Sequence, residues 1–336
     1  MKSKLTLAFV LASILLTACG RSTPEVPTVP PTDTPLPLPS ATATPSTPLA
    51  ILVVPADMDQ VASNLYQTTV YDLAQASGFR FQVRNFLTPA DVADTTLKVV
   101  IALPPDPGLA ALTVAGPHVQ FLAVNIPDMT AGGNLSVLAA DSQVELPAFL
   151  AGYIGAMLSD EYHIGMIVPA GNADAQRAFN AFRNGMVYYC GLCRPYYLTP
   201  YEYPTYIEIP PDESPDRYGG YANILIVERK VYALYVYPDL AIPEFISYIG
   251  TQGVMIIGSN IPEPRPGGWV ATIQPDPVKA IQNAWPNLIA GQGGVNVQSP
   301  LGLADIDPGL LTPGKERLAR ETLEGLLSGK ILPGNP

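Results

Sequence analysis

Few residues of this chain are of the types that carry catalysis or bind metals. The sequence has two histidines and three cysteines, so a zinc or haem site with several protein ligands has almost nothing to be built from. His118 and His163 each precede an apolar run and are most simply turn residues. The sequence contains no Gly-x-Ser-x-Gly turn, phosphate-binding loop or Ser/His/Asp arrangement. We therefore predict no catalytic residue, no metal and no cofactor.

Two of the cysteines form a Cys-x-x-Cys motif, Cys190 and Cys193. Redox pairs of this spacing place the first cysteine at a helix N-terminus, where the dipole favours a reactive thiolate. Here the pair follows a predicted helix that ends near Tyr189, and the negative end of a helix dipole disfavours a thiolate. In an exported protein the pair is expected to form a structural disulfide. Redox catalysis and reduced or metal-binding thiols are the alternatives.

Charge and composition exclude broad classes of function. Lys and Arg total 18 and Asp and Glu total 29, which gives a net charge of −11. A nucleic-acid partner is not expected, because such binding needs clustered cations. Hydrophobic residues make up 48% of the chain and charged residues 14%, which predicts a large buried core. The 37 prolines are about twice the usual share and are concentrated in one stretch.

The first twenty residues have the pattern of an export signal. Lys2 and Lys4 precede an apolar run over 5–16, which is too short to span a bilayer permanently and matches a secretory signal. The sequence LTAC at 16–19 resembles the bacterial lipobox. That resemblance implies a signal peptide over 1–18, lipidation of Cys19 and attachment to the extracytoplasmic face of a cell membrane. The alternative is an ordinary cleaved signal with a chance cysteine.

A stretch rich in Pro, Thr and Ser follows this signal. Residues 19–49 are predicted to form the lipidated cysteine and a disordered, polyproline-like tether, because they cannot bury enough apolar surface to offset backbone ordering. At roughly 3.1 Å per residue, such a tether reaches up to about 90 Å from the membrane. A proline-rich recognition motif for a partner is the alternative.

From Ala50 onward, short apolar runs alternate with longer segments of helical spacing. Strands are predicted at 51–54, 79–83, 98–103, 119–124, 164–168, 232–237 and 254–257. Helices are predicted at 58–77, which ends before Gly78 as a C-cap, and at 145–158, 173–189 and 240–252. This alternation predicts an α/β fold with one or two mostly parallel sheets, and the length favours two lobes.

Several segments of this region match the pattern of a known family. LPAFLAGYIGAML at 146–158 is followed by HIGMIV at 163–168, and AFNAFRNG occupies 178–185. Near the C-terminus, GGV at 293–295 and GKI at 329–331 complete the pattern. These segments resemble the basic-membrane-protein (BMP) family of solute-binding lipoproteins, in which a Phe-Leu-Ala-Gly helix crosses to the second lobe. The resemblance spans nearly all of residues 50–336.

The resemblance implies a type 1 periplasmic-binding-protein fold, with two Rossmann-like lobes joined by a hinge and the ligand in the cleft between them. It implies a first lobe over about 50–145 and 262–300 and a second lobe over about 146–261. A C-terminal segment, 301–336, is expected to pack across the lobes. The function it implies is a lipid-anchored protein that captures a small polar solute for an ABC permease.

Ligands of such sheets bind beyond the carboxyl ends of the parallel strands, where loops and helix N-termini supply hydrogen bonds. We therefore expect ligand contacts from polar residues that follow the strands and from a segment that returns to the first lobe. These residues are Asp57, Asp59, Gln60 and Asn125 in the first lobe, Asn172, Asp239, Ser259 and Asn260 in the second, and Trp269 and Thr272 in the returning segment. For each, a role in a turn or helix cap is the alternative.

The chain departs from the family's nucleoside-binding members at several of these positions. Those members carry an Asp-x-Ser-Phe-Asn type loop after the first strand, and DMDQVASN at 57–64 lacks its phenylalanine. Asn125 and Ser259 stand where those members have aspartates that would accept ribose hydroxyls. These departures weaken the case for a nucleoside ligand without weakening the case for the cleft.

Two further features leave alternatives open. Seven tyrosines fall within 188–206, where they suit sugars, bases or a protein partner, or simply a loop packed on its own lobe. The altered polar loops and these tyrosines also fit a surface sensor or interaction lipoprotein that keeps the fold but serves no transporter. An enzyme that uses the Cys-x-x-Cys pair is a third hypothesis.

Overall fold

The computed structural model describes residues 46–139, 143–191 and 201–334. The predicted signal peptide, Cys19 and most of the predicted tether lie outside the described residues, as does Cys193. In the described part, no helix has both the length and the apolar character needed to cross a bilayer.

The first lobe is built on a sheet of six parallel strands. The strands are β1 (Leu49–Val53), β2 (Arg80–Arg84), β3 (Leu97–Ala102), β4 (Gln120–Val124), β5 (Leu135–Ala139) and β11 (Asn296–Gln298). Their order across the sheet is β11-β5-β4-β3-β1-β2. The helices of this lobe are α1 (Gln60–Ala76), α2 (Pro89–Val92), α3 (Leu109–Ala115) and α8 (Pro277–Ile289).

Both faces of this sheet are covered, as the continuous apolar run of β1 predicts. All five residues of β1 are buried, with Ile51 in the core cluster on one face and Leu52 in the cluster on the other. The second of these clusters includes Trp285 of α8. Helix α1 starts where the Asp59 carboxylate accepts hydrogen bonds from two backbone amides, and it ends just before Gly78 at a φ of 73°.

The second lobe is built on a second six-stranded sheet. The strands are β6 (Ile164–Pro169), β7 (Thr205–Ile209), β8 (Ala233–Val236), β9 (Met255–Gly258), β10 (Trp269–Pro275) and β12 (Leu301–Ala304). Their order is β12-β10-β9-β8-β6-β7, and only β12 runs antiparallel to its neighbour. The helices are α4 (Glu145–Leu158), α5 (Ala173–Cys190), α6 (Tyr218–Asn223), α7 (Pro243–Gly250) and α9 (Pro313–Leu327).

Helices α4 and α5 cross at unusually short range because each presents a glycine to the other. A methyl group at Gly152 would overlap the carbonyl oxygen of Phe182, and one at Gly185 would overlap the carbonyl oxygen of Phe149. These glycines belong to the segments that carry the family resemblance, FLAG at 149–152 and FRNG at 182–185. Their local role is therefore close helix packing.

The chain passes between the lobes three times: from β5 to α4, from β10 to α8, and from β11 to β12. Two Rossmann-like lobes joined by such crossovers form the predicted α/β fold, which is confirmed. Every strand and helix predicted from the sequence is found within three residues of its expected bounds.

The expected division of the C-terminal third between the lobes needs correction. Strand β10 pairs in parallel with β9, so Trp269 and Thr272 belong to the second lobe and do not return to the first. The return begins only at α8, whose apolar face packs on the first sheet. Residues 301–334 do not pack across the lobes, because β12 joins the second sheet and Leu323 of α9 lies in the core beneath α4.

Candidate functional site

A cavity of about 1040 Å³ lies where the crossovers meet the second lobe. Its walls come from the carboxyl ends of β6, β8, β9 and β10, from the crossovers, from α8 and from the C-terminal segment after α9. In a parallel sheet the carboxyl ends of the strands are the usual place for a ligand. Three of the predicted site residues line this cavity, namely Asn172, Asp239 and Ser259.

The strand ends of β8 and β9 bring a phenol, a carboxylate and a hydroxyl to one side of the cavity. Tyr237 is almost fully buried, and this burial raises the pKa of its phenol, with the nearby Asp239 charge adding to the shift. Asp239 is exposed, and its carboxylate forms no hydrogen bond or ion pair with the residues that the structure describes. Ser259 lines the same side. This side therefore offers an uncompensated anionic hydrogen-bond acceptor beside neutral hydroxyl groups.

The start of α5 forms the neighbouring part of the wall. Asn172 caps the helix, because its Oδ1 accepts hydrogen bonds from the amides of Asp174 at 2.9 Å and Ala175 at 3.0 Å. The Asp174 carboxylate pairs with Arg177 at 2.8 Å, and Arg177 also donates to Glu145 Oε1 at 2.6 Å. Asn172 thus both lines the cavity and caps a helix, and the charge of Asp174 is already compensated.

Ser299 is a cavity residue that the sequence did not indicate. It lies in the crossover between β11 and β12, is 3% exposed, and its Oγ has no hydrogen-bond partner among the described residues. An unpaired buried hydroxyl is unfavourable by about 1–3 kcal/mol, so a ligand or water that pairs with it is stabilised there. A Ser-Pro pair between two very short strands gives no sequence signal that separates this residue from an ordinary loop.

Helix α8 and the C-terminal segment were also missed as walls. Lys279 and Asn283 lie one turn apart on α8 and face the cavity from the first lobe. Leu326, Leu327, Ile331 and Leu332 line it from the C-terminal side. The sequence could not indicate these residues, because their place in the cavity depends on tertiary packing: the chain returns to the first lobe at α8, and the C-terminal segment packs on the second lobe.

The first-lobe candidates lie outside the cavity. Asp57 and Asn125 follow the carboxyl ends of β1 and β4, as predicted, and both are exposed. Asn125 has a φ of 52°. Asp59 is the N-cap of α1, and the exposed Gln60 donates a hydrogen bond to Asn64 Oδ1 at 2.7 Å. In the second lobe, the exposed Asn260 also lies outside the cavity.

Trp269 and Thr272 are core residues of the second lobe, and this corrects the expectation that they contact ligand. Trp269 is 1% exposed, and its Nε1 donates to Thr272 Oγ1 at 3.3 Å. Thr272 in turn donates to Asp305 Oδ2 at 2.6 Å. The indole packs over Gly258, where any side chain would overlap it. A large aromatic residue in an apolar strand is therefore used here for packing.

The described tyrosines of the 188–206 segment pack on their own lobe. Tyr188 and Tyr189 contact Tyr153, and Tyr203 stacks on His163 with ring centroids 4.2 Å apart. None of the segment's described tyrosines lines the cavity, whereas Tyr196 and Tyr197 lie outside the described residues.

The described residues offer no cluster of metal ligands, and they include one cysteine of the Cys-x-x-Cys motif. Within 46–139, 143–191 and 201–334, no group of three or more His, Cys, Asp or Glu residues could hold a metal ion. Cys190 is the last residue of α5, but Cys193 lies outside the described residues, so their disulfide stays a prediction.

Comparison with known proteins supports the fold. The chain matches no protein-family model and no curated protein. It resembles an ABC transporter system solute-binding protein from Conexibacter woesei (14% identity, TM-score 0.48, covering 85% of this chain and 98% of that one). It also resembles a transcriptional activator of the comK gene from Bacillus halodurans (12% identity, TM-score 0.50, covering 85% of this chain and 99% of that one). A periplasmic ribose ABC transporter structure from Conexibacter woesei is similar as well (15% identity, TM-score 0.45, covering 82% of this chain and 95% of that one). At such identities a likeness concerns the fold alone, and among these three it is the comK activator, with its TM-score of 0.50, that supports the fold.

Proposed function

We propose that this chain is an extracytoplasmic solute-binding protein of the BMP type that captures a small ligand for an ABC importer. The observation that carries the proposal is the cavity at the crossovers, where the carboxyl ends of four second-lobe strands meet unpaired polar groups. Asp239 and Ser299 are two such groups, one from a lobe and one from the hinge itself. A ligand held by both is coupled to the hinge.

The mechanism is closure of the hinge on the ligand. The second lobe supplies Tyr237, Asp239 and Ser259, and the first lobe supplies Lys279 through α8. Closure would bring exposed first-lobe residues such as Asp57 and Asn125 toward the bound solute and so favour the closed state. The permease would then recognise that state, and no covalent chemistry is needed. A micromolar dissociation constant corresponds to roughly −8 kcal/mol, within reach of several convergent hydrogen bonds.

The membrane anchor is part of this proposal. Lipidation of Cys19 would keep the binding lobes at the extracytoplasmic face of the cell membrane, with the Pro-rich stretch as their tether. Mass spectrometry of the protein purified from a membrane fraction tests it. Cleavage before Cys19 with attached acyl chains is expected, whereas an unmodified Cys19 would contradict it.

Small-angle X-ray scattering tests capture by closure. The protein is measured alone and with a panel of amino acids, pentoses and hexoses, nucleosides and polyamines. At least one class should lower the radius of gyration. Asp239→Asn and Ser299→Ala should raise the concentration needed for that change, whereas Asp212→Asn, at an exposed position outside the cavity, should not. A radius of gyration that stays constant across the whole panel would contradict solute capture.

A surface sensor or interaction lipoprotein is the second candidate. It is favoured by apolar side chains that α1 leaves exposed, Val61 at 77% and Leu65 at 54%, on a helix that follows a strand end of the first lobe. Replacing both with serine separates the two readings. Solute-dependent compaction should persist in that variant if the protein serves transport, and uptake of the solute by cells should persist with it.

A further inference from the structure

The C-terminal segment after α9 is fixed to the second lobe as one wall of the cavity. The amide of Ile331 donates to the carbonyl oxygen of Gly325 at 3.0 Å, and Asn184 Nδ2 donates to the carbonyl oxygen of Pro333 at 2.9 Å. The Ile331 side chain lies against Gly325, where an added methyl group would crowd it. The wall is therefore anchored at both of its ends.

This wall is apolar and partly open. We name Leu326, Leu327, Ile331, Leu332 and Pro333 the apolar wall. Leu332 is 71% exposed and Leu327 is 44% exposed, although both line the cavity. Large apolar side chains left open in a concave site indicate a surface that something apolar covers.

Another part of the cavity wall, at the ends of β8 and β9, has the contrasting chemistry described above. We name Tyr237, Asp239 and Ser259 the polar end. Tyr237 and the wall residue Leu326 belong to the same core cluster, so the polar end and the apolar wall are parts of one lobe. Hinge motion changes how the first lobe covers them but leaves their arrangement relative to one another intact.

We propose that the ligand is amphipathic, with a hydrogen-bond donor head at the polar end and an apolar body against the apolar wall. This inference rests on the proposed function and specifies its ligand. The head is a donor, a hydroxyl or an ammonium group, because the uncompensated group at that end is the Asp239 carboxylate, which only accepts hydrogen bonds. The cavity of about 1040 Å³ is at the upper end of the range for ligand pockets, so both parts fit.

The apolar wall is tested first with N-phenyl-1-naphthylamine, an uncharged dye that fluoresces in apolar sites. The full chain should bind it with saturable fluorescence. Leu332→Ser should weaken binding about tenfold, because it removes a large apolar contact. Leu318→Ser is the matched control, since Leu318 is 37% exposed on α9 but lies outside the cavity. Absence of saturable binding, or equal affinities in the two variants, would overturn the proposal.

The head group is tested by displacing the dye with n-alkylamines, n-alkanols and n-alkanoates from four to eight carbons. Within the amines and alkanols, affinity should rise about fourfold per buried methylene. Amines or alkanols should displace the dye better than alkanoates, and Asp239→Asn should remove that preference. The stronger of the two donor series identifies the head as ammonium or hydroxyl. Affinity that is independent of chain length, or strongest for alkanoates, would overturn the proposal.

These outcomes are separable from those of solute capture. If the alkyl series binds as expected but never lowers the radius of gyration, the amphipathic site is supported and closure of the lobes on ligand is contradicted. If a wholly polar solute closes the lobes while chain length has no effect, capture stands, and the apolar wall is covered by the first lobe instead of by ligand.

Discussion

The two lobes share a sheet design but contribute unequally to the cavity. Each has a six-stranded sheet whose first strand pairs with its second and third strands in parallel. The second lobe lines the cavity with the ends of four strands, whereas the first lobe lines it through α8, the end of the edge strand β11 and a crossover, with Asp57 and Asn125 outside. Equivalent strand ends therefore do not imply equivalent contributions to the cavity, and the proposed closure would bring the first lobe over residues of the second.

The largest expected effect concerns the glycine contact that is specific to the α4–α5 pair of the second lobe. In Gly185→Ala the new methyl group would overlap the carbonyl oxygen of Phe149, so the helices must move apart. We expect a loss of about 3 kcal/mol or more in the free energy of unfolding, measured by urea denaturation. Gly220→Ala is the control, since a methyl group there meets open space within α6. A similar loss in both variants would remove the special role of this contact.

A somewhat smaller effect separates the stabilities of the lobes. The chain has two tryptophans, Trp269 in the second-lobe core and Trp285 in the first-lobe core. Each Trp→Phe substitution should lower the free energy of unfolding by about 2 kcal/mol. The one remaining tryptophan then reports on the other lobe. In the Trp269→Phe variant, the fluorescence of Trp285 should change at a higher urea concentration than the far-ultraviolet circular dichroism signal does, because the first lobe keeps its stability. Coincident transitions would mean that the lobes unfold as one unit.

A third prediction concerns a pH-dependent cap in the first lobe. Hydrogen bonds from the Thr88 hydroxyl and amide, with Arg84 at 2.6 Å, lower the pKa of Asp91 below its ordinary 3.8. Stability from a lowered carboxyl pKa is present above the unfolded value and is lost as pH falls through the folded value. Asp91→Asn should therefore lower the free energy of unfolding by about 0.5 kcal/mol at pH 6 and leave it unchanged near pH 2. The value is small because the Arg84–Asp91 pair is partly exposed to water. Thermal unfolding across pH checks this, and a difference that persists in acid would contradict it.

The smallest expected effect lies within the second lobe, where the chain enters it at the start of α4. Arg177 joins the start of α5 to Glu145 at the start of α4, but its side chain is 54% exposed. Water and salt screen such a pair, so Arg177→Met should lower the melting temperature less than any change above. The difference should shrink further in 1 M NaCl. A large loss that salt does not affect would show that this contact supports the cavity wall directly.

The sequence predicted local elements well and tertiary assignments less well. The apolar runs that became β1, β3 and β8 are buried on both faces, so composition alone indicated them. Strands β5, β7, β10, β11 and β12 were not predicted. Pro, Gly and Tyr residues flank β7 and β10 and indicate loops there. Of the six predicted site residues between Asn172 and Thr272, three line the cavity, namely Asn172, Asp239 and Ser259, and Asn172 is also a helix cap. Ser299 carries no local sequence signal. Which lobe a segment joins depends on packing that periodicity does not encode.

Double electron–electron resonance between the lobes tests the central claim most directly. Spin labels at Val114→Cys and Val227→Cys stand on exposed positions of the first and second lobes, away from the cavity. With at least one solute of the panel or of the alkyl series, the distance between the labels should become shorter. Asp239→Asn should restore the solute-free distance at the same solute concentration. One unchanged distance under every condition would contradict ligand capture by closure of two lobes.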